Sequence, residues 1–169
     1  MNTLTMYQAT VPTCTRALNS LAAILEKAAA YVQTRKIDPA VLLQTRLYPD
    51  MLPLSAQIFI ANDIAGGGAA RLAGVAVPTF DGKDKSLAEL ITNTRRTVEY
   101  LASLKPQQFE GSEDRTVTWQ TRSSSKSMQG MPYLFGHLLP NVFFHVTTAF
   151  DILRQAGLDI GKQDYLGNG

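Results

Sequence analysis

The stretch LPNVFFHVTTAFDILR, residues 139–154, carries apolar side chains at helical spacing and polar side chains on an adjacent face. The apolar stripe repeats at steps of three and four residues: Leu138, Val142, His145, Ala149, Ile152 and Ala156. The neighbouring stripe is unusually polar for a surface beside a core: His137, Asn141, Phe144, Thr148 and Asp151. The pattern predicts a helix from about 132 to 156 that contains Pro140 and ends at Gly157, a residue type favoured after helices.

Three more segments show helical spacing. The first, at about 4–33, has the longest stripe: Leu4, Tyr7, Val11, Cys14, Leu18, Leu21, Leu25, Ala28 and Val32. A second helix is predicted at 52–74, where apolar or small residues lie on two faces, so it should be central and buried. A third is predicted at 86–104, because Ser86 and Glu89 form a capping-box pattern at its start.

The helix predicted at 52–74 has a candidate N-cap residue and contains three consecutive glycines. Asp50 is the candidate N-cap, because its carboxylate can accept amide hydrogen bonds at the positive end of the helix. Residues 66–68 are three glycines, which weaken a helix but allow another element to approach closely. We expect the helix to continue through them with close packing.

The remaining segments predict connections and a hairpin. Asp38-Pro39 starts a short helix over 40–44, and residues 74–85 indicate a long crossover loop. Alternating apolar and polar residues predict a β-hairpin at 116–129. Together the elements predict one all-α domain over residues 1–169, a four-helix bundle with one crossover connection and a small β-hairpin before the last helix.

Composition and charge narrow the function classes. The 169 residues carry a formal net charge of +2 and are 45% hydrophobic, which is typical of a soluble globular domain. So small a charge surplus predicts no nucleic-acid partner and no membrane surface, and no apolar run is long enough to span a bilayer. The single cysteine, Cys14, excludes an internal disulfide, and the first residues carry no basic charge for a secretory signal. We therefore expect a cytoplasmic protein.

His145 is the main candidate functional residue, because the apolar stripe turns it toward the bundle interior. A buried polar side chain needs a partner, and Asp63 on the second predicted helix is the expected one. One interpretation is a structural bond between His145 and Asp63 or an asparagine, which would fix the helix register. The other is a polar pocket at the bundle centre, with His145 as the catalytic candidate. The predicted pocket residues are His145, Asn141, Asp63, Gln57, Thr148 and Asp151.

A tight metal site is not expected from the residues alone. His137 and His145 would lie about 12 Å apart along a straight helix, which is too far for both to bind one zinc ion. A site built from His145, Asp63 and amide oxygens would be a poor one for zinc. We therefore expect no cofactor, and a zinc or nickel ion held at His145 is the alternative.

Several motifs together resemble a known family: Arg46–Leu54 (RLYPDMLPL), the Phe109–Gly111 turn, the 139–154 stretch and the tail Gly161–Gly167 (GKQDYLG). Over essentially its whole length the chain is similar to a bacterial family of domains of unknown function within the DinB/YfiT-like superfamily, which includes metalloenzymes. The resemblance implies a four-helix bundle with a crossover, and a homodimer.

The metal ligands of that superfamily are only partly matched here. Its metal-binding members use one His on the second long helix and a His-x-x-x-His pair on the last one. His145 resembles the second His of that pair, Asn141 replaces the first, and Gln57 or Asp63 stands where the third would be. The resemblance therefore implies the fold without carrying over the metalloenzyme activity.

Two classes of function remain open. The first is a bundle protein that binds a small molecule and has a degenerate metal site. The alternative is an enzyme of the thiol-dependent transferase or hydrolase type, which are activities implied by the resemblance. In that case His145 would act as an acid, a base or a residual metal ligand.

We also expect a homodimer. The helix at 52–74 is apolar on two sides, and a side left uncovered by its own bundle would recruit a second copy. In the competing arrangement the crossover loop, residues 75–85, covers that side within one chain through Val77, Pro78 and Phe80.

Overall fold

The chain folds as a bundle of four long helices with a two-stranded hairpin in the computed structural model, which describes residues 4–79, 86–121 and 123–167. The elements are α1 (Met6–Arg35), α2 (Pro39–Gln44), α3 (Leu54–Ala73), α4 (Leu87–Ser103), a 3-10 turn (Pro106–Phe109), β1 (Thr116–Gln120), β2 (Ser125–Gln129), α5 (Gly130–Tyr133), a π-helical turn (Leu134–Leu138), α6 (Leu139–Gln155) and α7 (Lys162–Leu166). The predicted all-α bundle with a hairpin before the last long helix is confirmed.

The order of the long helices requires a crossover. α1 and α3 each pack mainly against α4 and α6. Asn62 in α3 donates a hydrogen bond to Thr94 in α4 (3.0 Å), and Tyr100 at the end of α4 bonds the carbonyl of Ala76 just after α3 (3.5 Å). The first contact joins residues early in both segments and the second joins residues late in both. The helices α3 and α4 therefore run parallel to each other. The connection between them is therefore the predicted crossover.

Two of the three predicted helix caps are confirmed and one is wrong. The amide of Ala40 donates to the Asp38 carboxylate at the start of α2 (2.9 Å), and Ser86 accepts from the first turn of α4. Asp50, however, is exposed and does not cap α3. Pro53 occupies that cap position, and the amide of Leu54 donates to the Thr45 carbonyl (2.9 Å). A backbone carbonyl thus takes the place of the predicted carboxylate.

The α3 helix runs through its three glycines, as predicted, and they are buried. A Cβ at Gly68 would overlap the Leu138 side chain, and one at Gly67 would lie 3.3 Å from Val77. These glycines are therefore covered within the chain and are not available to a second copy, whereas the homodimer itself stays a prediction. Phe80, part of the competing arrangement, lies outside the described residues.

The last long helical segment contains a π-helical turn that the sequence pattern did not predict. Pro140 has no amide hydrogen to donate, and just before it the amide of Leu139 bonds the Leu134 carbonyl, five residues back. The widened turn leaves α6 in register with the core: Leu138, Val142, Val146, Ala149, Ile152 and Leu153 are all buried. The segment begins at Gly130. Gly157 follows its end, as predicted, and has a φ of +94°.

The hairpin and the C-terminal tail cover parts of the bundle. β1 and β2 pair antiparallel, with Thr116 opposite Gln129, and the apolar side chains of β1 are buried. The short helix α7 was not predicted; it packs on α1, where Lys27 pairs with Asp164 (2.5 Å). Among the described residues, no helix is long and apolar enough to cross a membrane.

Candidate functional site

His145 lies where α6 packs on α3, and its hydrogen-bond partner is Gln57. The Nδ1 atom of His145 and Oε1 of Gln57 are 2.7 Å apart. The Gln57 amide nitrogen donates to the carbonyl of Leu52 (3.0 Å), so its oxygen must face the imidazole. His145 is half-buried, whereas Gln57 is only 2% exposed. This contact joins two predicted pocket residues from different helices.

The Gln57 contact decides which nitrogen of His145 carries the proton. Because Oε1 of Gln57 can only accept, Nδ1 of His145 must donate. Burial lowers the pKa of His145 below the ordinary value of 6.5, so the imidazole is neutral at pH 7. Its Nε2 atom then carries a lone pair, and no hydrogen bond to Nε2 is found within the described residues.

Two other predicted pocket residues, Asn141 and Thr148, find hydrogen-bond partners along α6 itself. The Asn141 side chain donates to the His137 carbonyl (2.6 Å), and the Thr148 hydroxyl donates to the Phe144 carbonyl (2.8 Å). Asp151 is half-buried, farther along α6. These side chains lie near His145 in sequence, but their hydrogen bonds are local.

Asp63, the predicted partner of His145, belongs to a second cluster. Arg71 lies close to both the Tyr133 hydroxyl and the Asp63 carboxyl, and its positive charge opposes the burial that raises the pKa of each group. Burial also lowers the pKa of His137, whose ring lies 4.5 Å from the Trp119 ring. The predicted His145–Asp63 bond is therefore absent from the described structure, because Gln57 occupies the position facing His145.

The described residues offer few ligands for a metal ion. They contain no group of three or more His, Cys, Asp or Glu side chains that could hold one. Nε2 of His145 is the available imidazole nitrogen at the α3–α6 contact, and its Nδ1 donates to an oxygen as metal-binding histidines commonly do. The neighbouring groups are amides rather than imidazoles or carboxylates, a donor set that fits zinc poorly.

Three concavities of the described residues lie elsewhere. One of about 480 Å³ is lined by Tyr7, Phe109 and Phe135; one of about 390 Å³ by Arg16, Phe143 and Tyr165; and one of about 740 Å³ by Asn19, Lys27 and Gln163. None of these three includes His145.

The sequence matches the family model described as "Domain of unknown function (DUF1993)" over residues 6–166. The chain belongs to this family. No curated protein matches it. The crystal structure of a DinB family member from Shewanella denitrificans is similar, with a TM-score of 0.90 and 36% sequence identity, and the similarity covers 97% of this chain and 93% of that one. The predicted DinB-like resemblance is therefore confirmed.

The structure distinguishes two positions that the sequence left open. Gln57 and Asp63 were both candidates for the place of the missing His on the second long helix, and Gln57 is the one that faces His145. Arg71 and Tyr133 were not predicted as members of any cluster. An arginine eight residues after Asp63 gave no sequence signal, because Arg71 reaches Asp63 by lying across Gly67.

Acidification should destabilise the protein through His145. Because its pKa is lower in the folded chain than in the unfolded one, the unfolded chain binds the proton first as the pH falls. The stability from neutral His145 is fully present above about pH 6.5 and is lost as the pH falls below that value. Urea unfolding at pH 7.5 and 5.0 should show this, and the loss should be smaller in His145→Gln. Equal losses in both proteins would contradict the assignment.

Proposed function

We propose that this DinB-like protein binds a small molecule at the α3–α6 contact and that Nε2 of His145 accepts a hydrogen bond from it. The observation that carries the proposal is the Nδ1–Gln57 bond, which fixes the tautomer and leaves Nε2 with a lone pair. The neutral form persists at pH 7 because burial lowers the pKa of His145. A fixed, neutral acceptor favours a ligand that carries a hydrogen-bond donor.

The surroundings of His145 favour a ligand with an apolar body. The Phe144 ring is 55% exposed and lies edge-on to the imidazole, with 5.2 Å between ring centroids. Leu52, whose carbonyl orients Gln57, is 40% exposed. An aromatic ring bearing a hydroxyl would match both the acceptor atom and these apolar side chains.

Phenol and anisole test this proposal as a matched pair, because anisole has the same ring without the donor. We expect phenol to shift the ¹⁵N resonance of His145 Nε2 in NMR titrations, and anisole to shift it much less. His145→Gln should abolish the saturable response at Leu52, whereas His137→Gln should retain it. Equal responses to both probes, or phenol shifts confined to other surfaces, would overturn the proposal.

The alternative function is an enzyme of the transferase or hydrolase type in which His145 removes a proton. The observation in its favour is again the hydrogen bond from Nδ1 of His145 to Gln57. In many enzymes a catalytic histidine is held in this way through one ring nitrogen, while its other nitrogen takes the proton. Hydrolysis of p-nitrophenyl acetate tests the base directly. A rate that rises through the pKa of His145 and is lost in His145→Gln would support the enzyme, and identical rates in the two proteins would exclude this role.

We predict that purified protein carries well under one transition metal ion per chain. Two of the three superfamily ligands are replaced, by Gln57 and Asn141, and amides bind zinc or nickel weakly. Elemental analysis of protein purified without chelator and without a nickel column gives the content. Stoichiometric zinc or nickel that disappears in His145→Ala would contradict the prediction and would favour the residual metal site.

We further propose that the protein forms a homodimer through the outer face of the α5–α6 segment. Residues 127–150 contain no Asp, Glu, Lys or Arg. Met131, Phe135 and Phe144 in this segment are 49%, 52% and 55% exposed. A self-complementary two-fold contact would remove these apolar side chains from water on both copies.

Light scattering at micromolar concentration tests the dimer. We expect a mass of twice the 18.5 kDa of one chain, falling to one chain in Phe135→Glu, because a carboxylate would be buried in the contact. Val41→Glu is the matched control, since Val41 is also exposed (63%) but lies on α2. A monomeric wild type, or equal dissociation of both variants, would exclude this face.

A cytoplasmic location is proposed on the chemistry of Cys14. The thiol is fully buried in α1, and burial raises its pKa to about 12. It is therefore an inert core side chain, and one cysteine without a disulfide partner fits a reducing compartment. Fractionation of cells should recover the protein with cytosolic markers, and recovery with secreted proteins would contradict the proposal.

A further inference from the structure

A groove of about 390 Å³ lies between the first half of α1, the α6 helix and the C-terminal helix α7. Its volume is within the range of about 300–1,000 Å³ that is typical of small-molecule sites. Phe143 and Val146 turn toward α1, whereas His145 turns toward α3, so the groove lies on the opposite side of α6 from the proposed His145 site. It is therefore a separate feature of the fold.

The walls of the groove are mainly apolar. Pro12 on α1, Phe143 and Val146 on α6, and Leu166 on α7 all line it. Phe143 is 39% exposed and Leu166 is 40% exposed, so their apolar surface faces the open groove. An apolar ligand body that removed this surface from water would be bound favourably.

Arg16 is the one formally charged side chain among the described residues that line the groove. Its Nε atom donates a hydrogen bond to the carbonyl of Leu166 (3.0 Å), which fixes the side chain against α7. No carboxylate within the described residues forms an ion pair with it, because the nearby Asp164 is paired with Lys27 (2.5 Å). The two terminal nitrogens of Arg16 are therefore left to bind an anion, and a guanidinium matches a carboxylate in shape.

Tyr165 supplies a second donor. Its hydroxyl oxygen accepts a hydrogen bond from Thr147 (2.9 Å), so its own proton is free to be donated. The edge of its ring packs on Phe150, with 5.9 Å between ring centroids, which holds the hydroxyl in place. Arg16 and Tyr165 thus line one groove with two unused donor groups, and no acidic side chain is among the described residues that line it.

We propose that this groove binds a small carboxylate with an apolar body, placing the carboxylate on Arg16 and Tyr165 and the body against Phe143 and Leu166. The single positive charge selects an anion over a cation, and the apolar walls select a chain or ring over a small inorganic anion. The proposal does not depend on the function of His145, because the two sites share no side chain.

Octanoate, octylamine and acetate serve as probes in calorimetric titrations of the full chain. We expect octanoate to bind with a dissociation constant below about 1 mM, with octylamine and acetate at least about tenfold weaker. Octylamine has the same apolar chain with the opposite charge, and acetate has the same charged group without the chain. Equal binding of octanoate and octylamine would overturn the role of Arg16, and equal binding of octanoate and acetate would overturn the role of the walls.

Two variants separate recognition from folding. Arg16→Gln should weaken octanoate at least about tenfold by removing the charge, whereas Arg96→Gln, on the exposed side of α4, should not. Because Arg16 also bonds the Leu166 carbonyl, its replacement could displace α7. Unchanged NMR chemical shifts of the α7 amides in Arg16→Gln show that the helix has kept its position. Tyr165→Phe keeps the ring and should weaken octanoate about threefold to tenfold. Unchanged affinity in both Arg16→Gln and Tyr165→Phe would refute the proposal.

Discussion

Replacing Gly130 by alanine should lower the free energy of unfolding by about 3 kcal/mol, the upper part of the range for overpacked cores. A Cβ at Gly130 would overlap the carbonyl oxygen of Ser112 and lie 2.9 Å from its carbonyl carbon. Backbone atoms cannot turn aside as a side chain can, and Ser112 is itself fully buried. Urea or thermal unfolding of Gly130→Ala gives the loss directly.

Gly136→Ala is the matched control for Gly130→Ala. It adds the same methyl group six residues later in the same helical segment, where nothing lies within 4 Å of the new atom. Alanine is also the better helix former, so this variant should be as stable as wild type or slightly more stable. Equal losses in the two variants would mean that helix geometry, rather than the approach of Ser112, explains the glycine.

The site of Gly130 explains why the effect should be large. The residue joins β2 to α5, and the next amide, that of Met131, donates to the Glu113 carbonyl (2.9 Å). The start of the last helical segment therefore packs against the backbone of residues 112–113 and is hydrogen-bonded to it. A displaced start would move the π-helical turn and the α6 core behind it.

The long helices could be predicted from the sequence because each has a regular apolar stripe. The observed helices Met6–Arg35 and Leu87–Ser103 lie within a few residues of the predicted spans. The π-helical turn could not be predicted in the same way. Pro140 signals a missing amide donor, but whether the helix bends, breaks or widens by one residue depends on what packs against it.

The composition of the candidate site was predictable, but its pairing was not. His145, Gln57 and Asp63 all lie on polar positions of helices that pack together, so the sequence identified the right helices. The partner of His145 depends on the register of α3 along α6, where Leu138 packs closely over Gly68. That register places Gln57 opposite the imidazole and leaves Asp63 beside Arg71.

The α7 helix and the groove beside it had no sequence signal. Five residues are too few for an apolar stripe, and a helix this short is not stable alone. Tertiary contacts hold it: Arg16 bonds the Leu166 carbonyl, and Lys27 pairs with Asp164. Interactions between residues more than 130 positions apart cannot be found from local spacing.

The packing of Leu138 over Gly68 leads to the second large effect. Leu138→Ala should cost about 2–5 kcal/mol, because Leu138 is fully buried and its removal leaves a cavity between α3 and α6. Gly68→Ala in the wild-type background should also destabilise, since the new methyl would lie 2.8 Å from Leu138 Cγ in a filled core. Urea unfolding of each variant measures both losses.

In the Leu138→Ala background the effect of Gly68→Ala should reverse in sign. The two close Leu138 atoms are then gone, and the nearest remaining neighbour of the new methyl is the Tyr133 hydroxyl, at 3.3 Å. The methyl would fill part of the cavity, and alanine in place of glycine favours the helix by about 1 kcal/mol. The double variant should therefore be more stable than Leu138→Ala alone. Strictly additive losses in the four-protein cycle would show that Leu138 and Gly68 are not energetically coupled.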